Sequence, residues 1–368
     1  MPAVLLVTQD LQRAGAQRQC VELALGLAQD AGWRVEVAAV EPDGPLGRDL
    51  RDASLPLHAC PRRWRWDLSP AARLAALVRR GRPDVVHTSL FLPNFYGRLA
   101  RLVCRPPALV SSLRSTGIEG WPRYLAEILM APLCDAIIAN SEAGKADLVA
   151  RGVHADRVVV VRNGLDFARF DRAIVSAPPC ADGIRRIGMV AQMESRKDHI
   201  GLVEAFARIR PAFPSARLVL AGDGRLRPVV EERVRRLALG DAVEILGTVD
   251  HPERIYLSLE VYVQASAAEE GTSNSILEAM ACGRPVAATD IGGNREVVQD
   301  GTTGLIVPAR DPEALAAALR ALLADPHRAR AMGAEGARLV RRRYSRAGMV
   351  RSTVAVYEDL LYRRRRPA

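Results

Sequence analysis

The chain has 368 residues, of which 49% are hydrophobic and 26% charged, and its formal net charge at pH 7 is +10. This is the composition of a globular protein, and no apolar run reaches the roughly 18 residues needed to cross a bilayer. The chain is longer than the size at which a single hydrophobic core stops growing, so we expect two domains.

Apolar strands alternate with helical segments in two successive series along the chain. This alternation predicts two Rossmann-like domains with parallel sheets. In the first series, strands are predicted at 3–8, 34–40, 85–88, 108–112, 136–139 and 158–161, with helices at 17–31, 71–80, 94–104, 123–133 and 143–150. In the second, strands are predicted at 186–190, 217–220, 243–246, 261–264, 286–289 and 304–307, with helices at 199–210, 225–237, 275–282, 313–322, 326–341 and 346–363.

The segment between the two series marks the predicted domain boundary. Residues 173–183 contain two prolines and no periodicity, so they are predicted to be a linker. The first domain is then 1–172 and the second 184–345. The six cysteines form no Cys-x-x-Cys motif, which favours free thiols in a reducing cytosol.

The most informative segment contains two carboxylates, Glu270 and Glu278, on either side of a run of small residues. Gly271, Thr272, Ser273 and Asn274 come before the predicted helix that carries Glu278, and Ser275 is its first residue. A helix N-terminus presents unpaired N–H groups and a partial positive charge, which suit a phosphate. A carboxylate one turn further on can accept the two hydroxyls of a ribose. This arrangement predicts a site for a nucleoside diphosphate.

The same residues resemble the donor site of retaining glycosyltransferase family 4, which has the GT-B fold. The resemblance rests on Glu270 and Glu278, on the string EAMACGRPVAATDIGGNREVV that begins at Glu278, and on DGTTGLIVP after it. Weaker matches follow in order along the chain: the loop at 14–17, DVVHT at 84–88, ANSE at 139–142, RNGLD at 162–166, KDH at 197–199 and AGDG at 221–224. The resemblance implies an α/β protein with two facing Rossmann-like domains and an interdomain cleft. The N-terminal domain would bind the acceptor and the C-terminal domain the donor, and the helix at 346–368 would pack back on the first domain.

The resemblance also implies roles for individual residues of the donor site. Glu270 would bind hydroxyls of the donor sugar and Glu278 the ribose, and the backbone amides of 274–276 would face the diphosphate. Lys197 would supply positive charge to the departing diphosphate. Family members usually carry an arginine where this chain has Gln192, so either Arg196 replaces that charge or one charge contact to the diphosphate is absent.

Several of these residues have simpler structural explanations, which stay open at this point. Glu270 would be an ordinary solvated loop residue without the string around it, and Thr272, Ser273 and Asn274 could simply cap a helix. His87 ends a predicted strand and is either structural or a hydrogen-bond donor beside the sugar. Gly15 would let backbone approach the ligand, in a loop that has fewer glycines than is usual in the family. The loop at 290–294 is expected to support the donor loop.

The implied reaction is transfer of a hexose from a UDP- or GDP-sugar to an acceptor hydroxyl, with retention at the anomeric carbon. The candidate catalytic residues are His87, Lys197 and Glu270. We expect no cofactor and no metal, because the chain has no Asp-x-Asp motif and a helix N-terminus with a lysine can replace a metal. A sugar-nucleotide epimerase would not share the motif string, and an NAD oxidoreductase would need Gly-x-Gly-x-x-Gly, which is absent. A non-catalytic, transferase-like subunit of a membrane-associated glycan assembly is the main alternative.

The charge distribution suggests partners for the first domain. Between His58 and Arg114 there are eleven arginines against two aspartates, and PRRWRW at 61–66 joins cations to two tryptophans. This stretch is either a surface loop with stacked Arg–Trp pairs or a contact for an anionic membrane. Nucleic acid is not expected, because no recognised motif accompanies the charge. A glycan or lipid-linked acceptor, used in bacterial surface polysaccharide or glycolipid synthesis by a cytoplasmic protein at the inner face of the membrane, fits this pattern.

Overall fold

The protein is represented by a computed structural model, which describes residues 1–64, 66–114, 121–176, 183–268 and 270–365, without the side chains of residues 121, 122 and 124. Contacts divide the chain into two compact units. Unit 1 contains Met1–Leu165 and Tyr344–Ala368, and unit 2 contains Asp166–Arg343. Each unit has its own parallel sheet, so the predicted α/β fold with two sheets is confirmed.

Unit 1 is built on a seven-stranded parallel sheet in the order β3-β2-β1-β4-β5-β6-β7. Its strands are β1 (Ala3–Asp10), β2 (Arg34–Glu41), β3 (Leu57–Ala59), β4 (Val85–Ser89), β5 (Ala108–Leu113), β6 (Ala136–Ala139) and β7 (Val158–Val160). Its helices are α1 (Gly15–Gln29), α2 (Gly47–Asp52), α3 (Ser69–Gly81), α4 (Phe91–Cys104), α5 (Trp121–Met130), α6 (Glu142–Ala150) and, from the end of the chain, α15 (Arg346–Arg365). Short 3₁₀ turns lie at Ala131–Leu133 and Ala155–Arg157.

The centre of this sheet is β1, which pairs with β2 and β4. Val4 lies opposite Val35 on one side and Val85 on the other. A parallel strand covered on both faces is apolar almost throughout, and the first five residues of β1 are all buried. The sheet reverses its direction of growth between β1 and β4, and in open α/β sheets ligands bind at the carboxyl edge near such a point.

The C-terminal helix α15 belongs to unit 1, where it contacts α1. Met349, Val350 and Tyr357 form its buried stripe. A Cβ on Gly26 of α1 would lie 2.4 Å from a methyl group of Val350, so glycine permits this close approach. The chain leaves unit 1 after Leu165 and returns to it at Tyr344. These two residues are hydrogen-bonded to each other, because the Leu165 amide donates to the Tyr344 carbonyl over 2.8 Å.

Unit 2 has a six-stranded parallel sheet in the order β10-β9-β8-β11-β12-β13. Its strands are β8 (Arg185–Val190), β9 (Ala216–Ala221), β10 (Val243–Gly247), β11 (Val261–Gln264), β12 (Val286–Thr289) and β13 (Gly304–Val307). Its helices are α7 (Phe167–Ser176), α8 (His199–Ile209), α9 (Arg227–Arg236), α10 (Pro252–Ser258), α11 (Asn274–Ala281), α12 (Asn294–Val297), α13 (Pro312–Ala324) and α14 (Pro326–Arg343). The buried faces of α8, α13 and the central strands form one hydrophobic core.

The boundary between the units differs from the predicted one. Residues 166–172 were assigned to the first domain, but they lie in unit 2 because α7 contacts α10 and α11. Phe170 is buried there, and Arg169 pairs with Glu253 of α10 at 2.8 Å. Residues 173–176 of the predicted linker continue α7, whereas 177–182 lie outside the described residues. Tyr344 and Ser345, placed in the second domain by the sequence, belong to unit 1.

Two further features bear on function. Cys20, Cys60, Cys104, Cys134 and Cys282 are free thiols. Within the described ranges, no helix combines the length and the apolar character that a membrane span requires.

Candidate active site

Unit 2 brings Lys197 to Glu270 by pairing two loops at the carboxyl edge of its sheet. The loop after β8 runs antiparallel to the residues after β11, with a bridge between Lys197 and Ser266. The Asp198 amide donates to the Ala265 carbonyl over 3.1 Å, and the Ala267 amide donates to the Arg196 carbonyl over 2.9 Å. The backbone of Lys197 is therefore fixed before its side chain makes any contact.

Lys197 and Glu270 form a buried ion pair through Nζ and Oε1. The side chains are only 9% and 8% exposed, so neither charge is well solvated. Burial lowers the pKa of Lys197 from its ordinary value, and the adjacent Glu270 carboxylate opposes this shift. A second donor, the Ser266 hydroxyl, lies 3.0 Å from the same carboxylate oxygen. The pair therefore forms a pre-positioned cation beside a pre-positioned acceptor.

A chain of hydrogen bonds extends from Glu270 into the sheet. The Ser266 hydroxyl accepts from Gln264 Nε2 at 3.1 Å, and the Tyr262 hydroxyl donates to Gln264 Oε1 at 2.7 Å. Thr289 also contributes, because its hydroxyl accepts from the Ser266 amide at 2.9 Å. These groups are buried, so each hydrogen bond restricts where the next can lie. The orientation of Glu270 is thereby linked to Tyr262.

The second carboxylate, Glu278, lies in the buried face of α11. The Tyr256 hydroxyl donates to Glu278 Oε2 over 2.9 Å. Burial is the main cause that raises the pKa of Tyr256, and Glu278 adds to it, so the phenol keeps its proton. Tyr256 and Tyr262 contact edge to face, with ring centroids 5.5 Å apart. The supports of the two carboxylates therefore pack directly on each other.

The residues before α11 are buried although they are polar or small. Gly271, Thr272 and Ser273 are all shielded from solvent, and Ser273 is the N-cap residue of the helix. Its side chain makes no capping hydrogen bond, so side-chain capping by Ser273, which the sequence suggested, is wrong. Asn274 and Ser275 form the first positions of the helix and are partly buried. Backbone N–H groups at such a terminus suit an anion.

The loop at 290–294 contacts the donor loop directly. A Cβ on Gly292 would lie 1.7 Å from the Glu270 carbonyl oxygen, and its φ is +54°. Only glycine accepts both the left-handed backbone and the close approach. Asn294 is fully buried and donates to the Thr289 carbonyl over 3.0 Å. This loop therefore fixes the backbone position of Glu270.

Arg196 and Gln192 are the two positions before Lys197 that bear on positive charge at the site. Arg196 is partly buried, next to Lys197, and its carbonyl makes the hydrogen bond to Ala267 described above. Gln192 is exposed. Arg196 is thus the nearest arginine along the chain to the Lys197–Glu270 pair, and its role toward a diphosphate stays a prediction.

Unit 1 carries the two remaining predicted site residues. Gly15 begins α1, whose N-cap residue Ala14 has no side chain that can cap the helix. His87 lies in β4 and is 2% exposed. Its Nδ1 is 2.5 Å from the Tyr357 hydroxyl, and its Nε2 is 2.6 Å from the Ser112 hydroxyl. Burial, aided by the Arg114 charge, lowers its pKa to about 3, so the ring is neutral.

This geometry favours the structural explanation of His87. Both ring nitrogens are already hydrogen-bonded inside unit 1, and one of these bonds would have to break before the ring could contact a sugar. The structure therefore brings together Lys197, Glu270, Glu278 and the residues at 271–275, whereas Gly15 and His87 lie in the other unit.

The sequence analysis missed the residues that support the carboxylates. Tyr256, Tyr262, Gln264 and Ser266 carried no motif signal, except that three of them lie in or just after a strand that ends at the predicted site. Among the described residues, no group of three or more His, Cys, Asp and Glu is placed to hold a metal ion.

Comparison with known proteins identifies the family of this chain and agrees with its fold. The model described as Glycosyltransferase Family 4 matches residues 13–169, and the one described as Glycosyl transferases group 1 matches residues 184–325. A D-inositol 3-phosphate glycosyltransferase from Thermobispora bispora is 30% identical over 329 residues, covering 80% of this chain and 74% of the relative. A glycogen synthase from Mycobacterium tuberculosis is 28% identical over 311 residues, covering 80% and 72%.

Solved structures share this fold at low sequence identity. Anabaena Alr3699/HepE in complex with UDP and glucose matches with a TM-score of 0.85 and 18% identity, covering 98% of this chain and 100% of that one. Sucrose-phosphate synthase (tll1590) from Thermosynechococcus elongatus matches with a TM-score of 0.80 and 23% identity, covering 98% and 100%.

These likenesses and the two parallel-sheet units define a GT-B glycosyltransferase fold. The chain belongs to glycosyltransferase family 4 and is a glycosyltransferase of the EC 2.4 class. The epimerase and oxidoreductase alternatives are thereby set aside.

Proposed function

We propose that the protein transfers a hexose from a UDP- or GDP-sugar to an acceptor hydroxyl with retention at the anomeric carbon. The observation that carries this proposal is the buried Lys197–Glu270 pair beside the helix that bears Glu278. A neighbour of similar fold was solved in complex with UDP-glucose, which supports a nucleotide-sugar donor and makes UDP-glucose the first donor to test.

In this proposal the donor replaces solvent at the carboxyl edge of the sheet of unit 2. The diphosphate lies on the N-terminus of α11, where Gly271, Thr272 and Ser273 leave backbone close to the ligand. Glu278 accepts the ribose hydroxyls while Tyr256 holds its other oxygen. Lys197 stabilises the charge that grows on the leaving diphosphate, a contribution that is usually large in group transfer.

Glu270 has a positioning role in the same proposal. Its carboxylate accepts hydroxyls of the sugar while Ser266 and Lys197 hold it in place, so that the anomeric carbon faces the acceptor. Glu270 is not assigned as a covalent nucleophile. The proposal needs no metal ion, because a helix N-terminus and a lysine supply positive charge to the diphosphate.

The proposed acceptor is a glycan or a lipid-linked glycan, and the proposed setting is the cytoplasm at the inner face of the cell membrane, in surface polysaccharide or glycolipid synthesis. The loop at 61–68 supports a membrane contact, because Trp64 and Trp66 are 59% and 72% exposed. Asp67 turns inward and accepts from the amides of Arg63 and Ser69, each at 2.8 Å, and these hydrogen bonds lower its pKa. Asp67 is thus held inward while Trp64 and Trp66 on its N-terminal side are exposed, as in interfacial anchors.

A thermal-shift panel of UDP, GDP, dTDP and ADP with their common sugars tests the donor proposal on the wild type and Glu278→Ala. A ligand at a hundred times its dissociation constant adds about 2.7 kcal/mol of stability. If nucleotides of one base stabilise the wild type but not Glu278→Ala, the result supports the site and identifies the base of the donor. Release of UDP from UDP-glucose in the absence of acceptor would then count against the non-catalytic alternative. If no nucleotide stabilises the wild type, the non-catalytic alternative is favoured.

A further inference from the structure

Arg114 follows β5 at the carboxyl edge of the sheet of unit 1, in a cluster of polar groups. It is partly buried, and its Nη1 donates to Asn163 Oδ1 over 2.8 Å. Its carbonyl accepts from Asn140 Nδ2 at 3.4 Å. Its Nε is shielded from solvent and has no hydrogen-bond acceptor. Within the described part of the chain, no carboxylate forms an ion pair with Arg114.

The groups around Arg114 do not supply a negative charge. His87 is neutral, as its pKa of about 3 indicates. Burial raises the pKa of the Cys20 thiol to about 11 and raises that of Tyr357 well above its ordinary value. The guanidinium itself stays protonated in proteins. At neutral pH, Arg114 is thus a cation without a counter-charge from these neighbours.

The same unit shows how a buried arginine is otherwise compensated. Arg98 is fully buried, and its Nη2 lies 2.5 Å from Glu127 Oε1, which is equally buried. A buried charge without a partner is costly, so the contrast between Arg98 and Arg114 calls for an explanation. An anion that binds at Arg114 from outside the chain provides one.

We propose that Arg114 is a subsite for an oxyanion, a phosphate or carboxylate, carried by the glycosyl acceptor. The planar fork of a guanidinium matches both groups, and the carboxyl edge of a parallel sheet is the usual place for a ligand. The donor diphosphate is assigned to Lys197 and α11 in unit 2, so the anion at Arg114 is a second one. This inference rests on the proposed function only in identifying the ligand as the acceptor.

The test is isothermal titration of the full-length enzyme saturated with UDP, so that the donor site is filled. The probes are inorganic phosphate, glucose 6-phosphate and glucuronate, with glucose and chloride at matched ionic strength as neutral and non-specific references. The wild type should bind an oxyanion probe but not glucose. Arg114→Gln should weaken this binding by at least about tenfold, and Arg114→Lys by less. Arg48→Gln removes an exposed arginine of the same unit and should leave it unchanged.

A second variant keeps the test decisive if Arg114→Gln is poorly folded. Asn163→Asp is nearly isosteric and gives Arg114 an internal counter-ion, so it should abolish the phosphate response while UDP binding persists. The inference is overturned if the wild type binds no oxyanion, if both variants bind it as the wild type does, or if Arg114→Gln weakens UDP itself as much as phosphate. Failure of UDP to bind the wild type would instead contradict the proposed function.

Discussion

At the scale of single residues, Lys197 carries the sharpest expectation. Lys197→Ala removes the cation beside the leaving diphosphate and leaves Glu270 as a buried carboxylate without its partner. We expect the rate of UDP release from UDP-glucose to fall by about a hundredfold or more. Arg196→Ala is the matched control, because it removes the neighbouring cation without breaking the buried pair, and its effect should be clearly smaller. Equal losses in both variants would contradict the assignment of Lys197.

The pKa of Lys197 makes a separate prediction about pH. Since burial lowers this pKa, the side chain loses its proton at a lower pH than an ordinary lysine. The diphosphate requires the charged form, so UDP affinity should weaken as pH rises from neutral into the alkaline range, and binding should take up protons there. Lys197→Arg keeps its charge and should show a flatter pH profile. Calorimetry in buffers of different ionisation enthalpy measures both effects.

The tyrosines that support the two carboxylates allow a paired test. Tyr256→Phe removes the hydrogen bond to Glu278, and a hydrogen bond to a charged group contributes about 1.5–3 kcal/mol, so UDP affinity should fall by about tenfold or more. Tyr262→Phe acts on Glu270 through Gln264 and Ser266 and should lower the turnover rate more than the UDP affinity. UDP titration and turnover assays on both variants distinguish the two effects. If both variants lose UDP affinity and turnover to the same extent, Tyr256 and Tyr262 do not support separate carboxylates.

The sequence singled out the charged residues that the structure brings together in the candidate site, but not the residues that support them. Lys197 and Glu270 stand in motifs after the ends of strands, where topology alone places side chains at one edge, and Glu278 lies in the helix that follows Glu270. Tyr262 and Gln264 lie inside β11, and their hydroxyl and amide meet only because of the rotamers that the surrounding core allows. His87 was ambiguous for the same reason, because its partner Tyr357 is 270 residues away along the chain.

At the scale of elements, Gly292 tests whether the loop at 290–294 positions Glu270. Gly292→Ala places a methyl group on the Glu270 carbonyl and also forces a positive φ, which costs about 1–2 kcal/mol by itself. Gly283→Ala is the matched control, with φ at +70° but open space around the Cβ. We expect both variants to lower the melting temperature, and only Gly292→Ala to lose UDP binding as well. Equal UDP affinity in both would mean that the loop does not set the donor site.

The predicted elements were more accurate than the predicted boundary between units. Both sheets follow from apolar strands alternating with helices, because a parallel sheet must be covered on both faces. The helix α7 was not predicted, since its apolar residues Phe167, Phe170 and Ile174 lie beside a proline-containing segment that looked like a linker. The unit that α7 joins is decided by its tertiary contacts with α10 and α11, which the local sequence pattern does not reveal.

At the scale of the whole molecule, the net charge of +10 and the exposed tryptophans of the loop at 61–68 bear on the proposed membrane contact. We expect the full chain to sediment with vesicles that contain anionic phosphatidylglycerol and not with neutral phosphatidylcholine vesicles. Added salt should weaken the association, because surface charges are screened within about 8 Å at physiological ionic strength.

The two tryptophans should contribute a part of the membrane-binding free energy that added salt does not remove. Trp64→Ala with Trp66→Ala takes away apolar surface that would lie among the lipid headgroups, and burial of one such side chain contributes about 1.5–3 kcal/mol. The double variant should therefore bind anionic vesicles at least about tenfold more weakly at both low and high salt. Val175→Ala, at a residue that is 87% exposed in unit 2, controls for loss of any exposed apolar side chain. If the double variant and this control sediment alike, the loop is an ordinary surface loop and membrane contact through it is rejected.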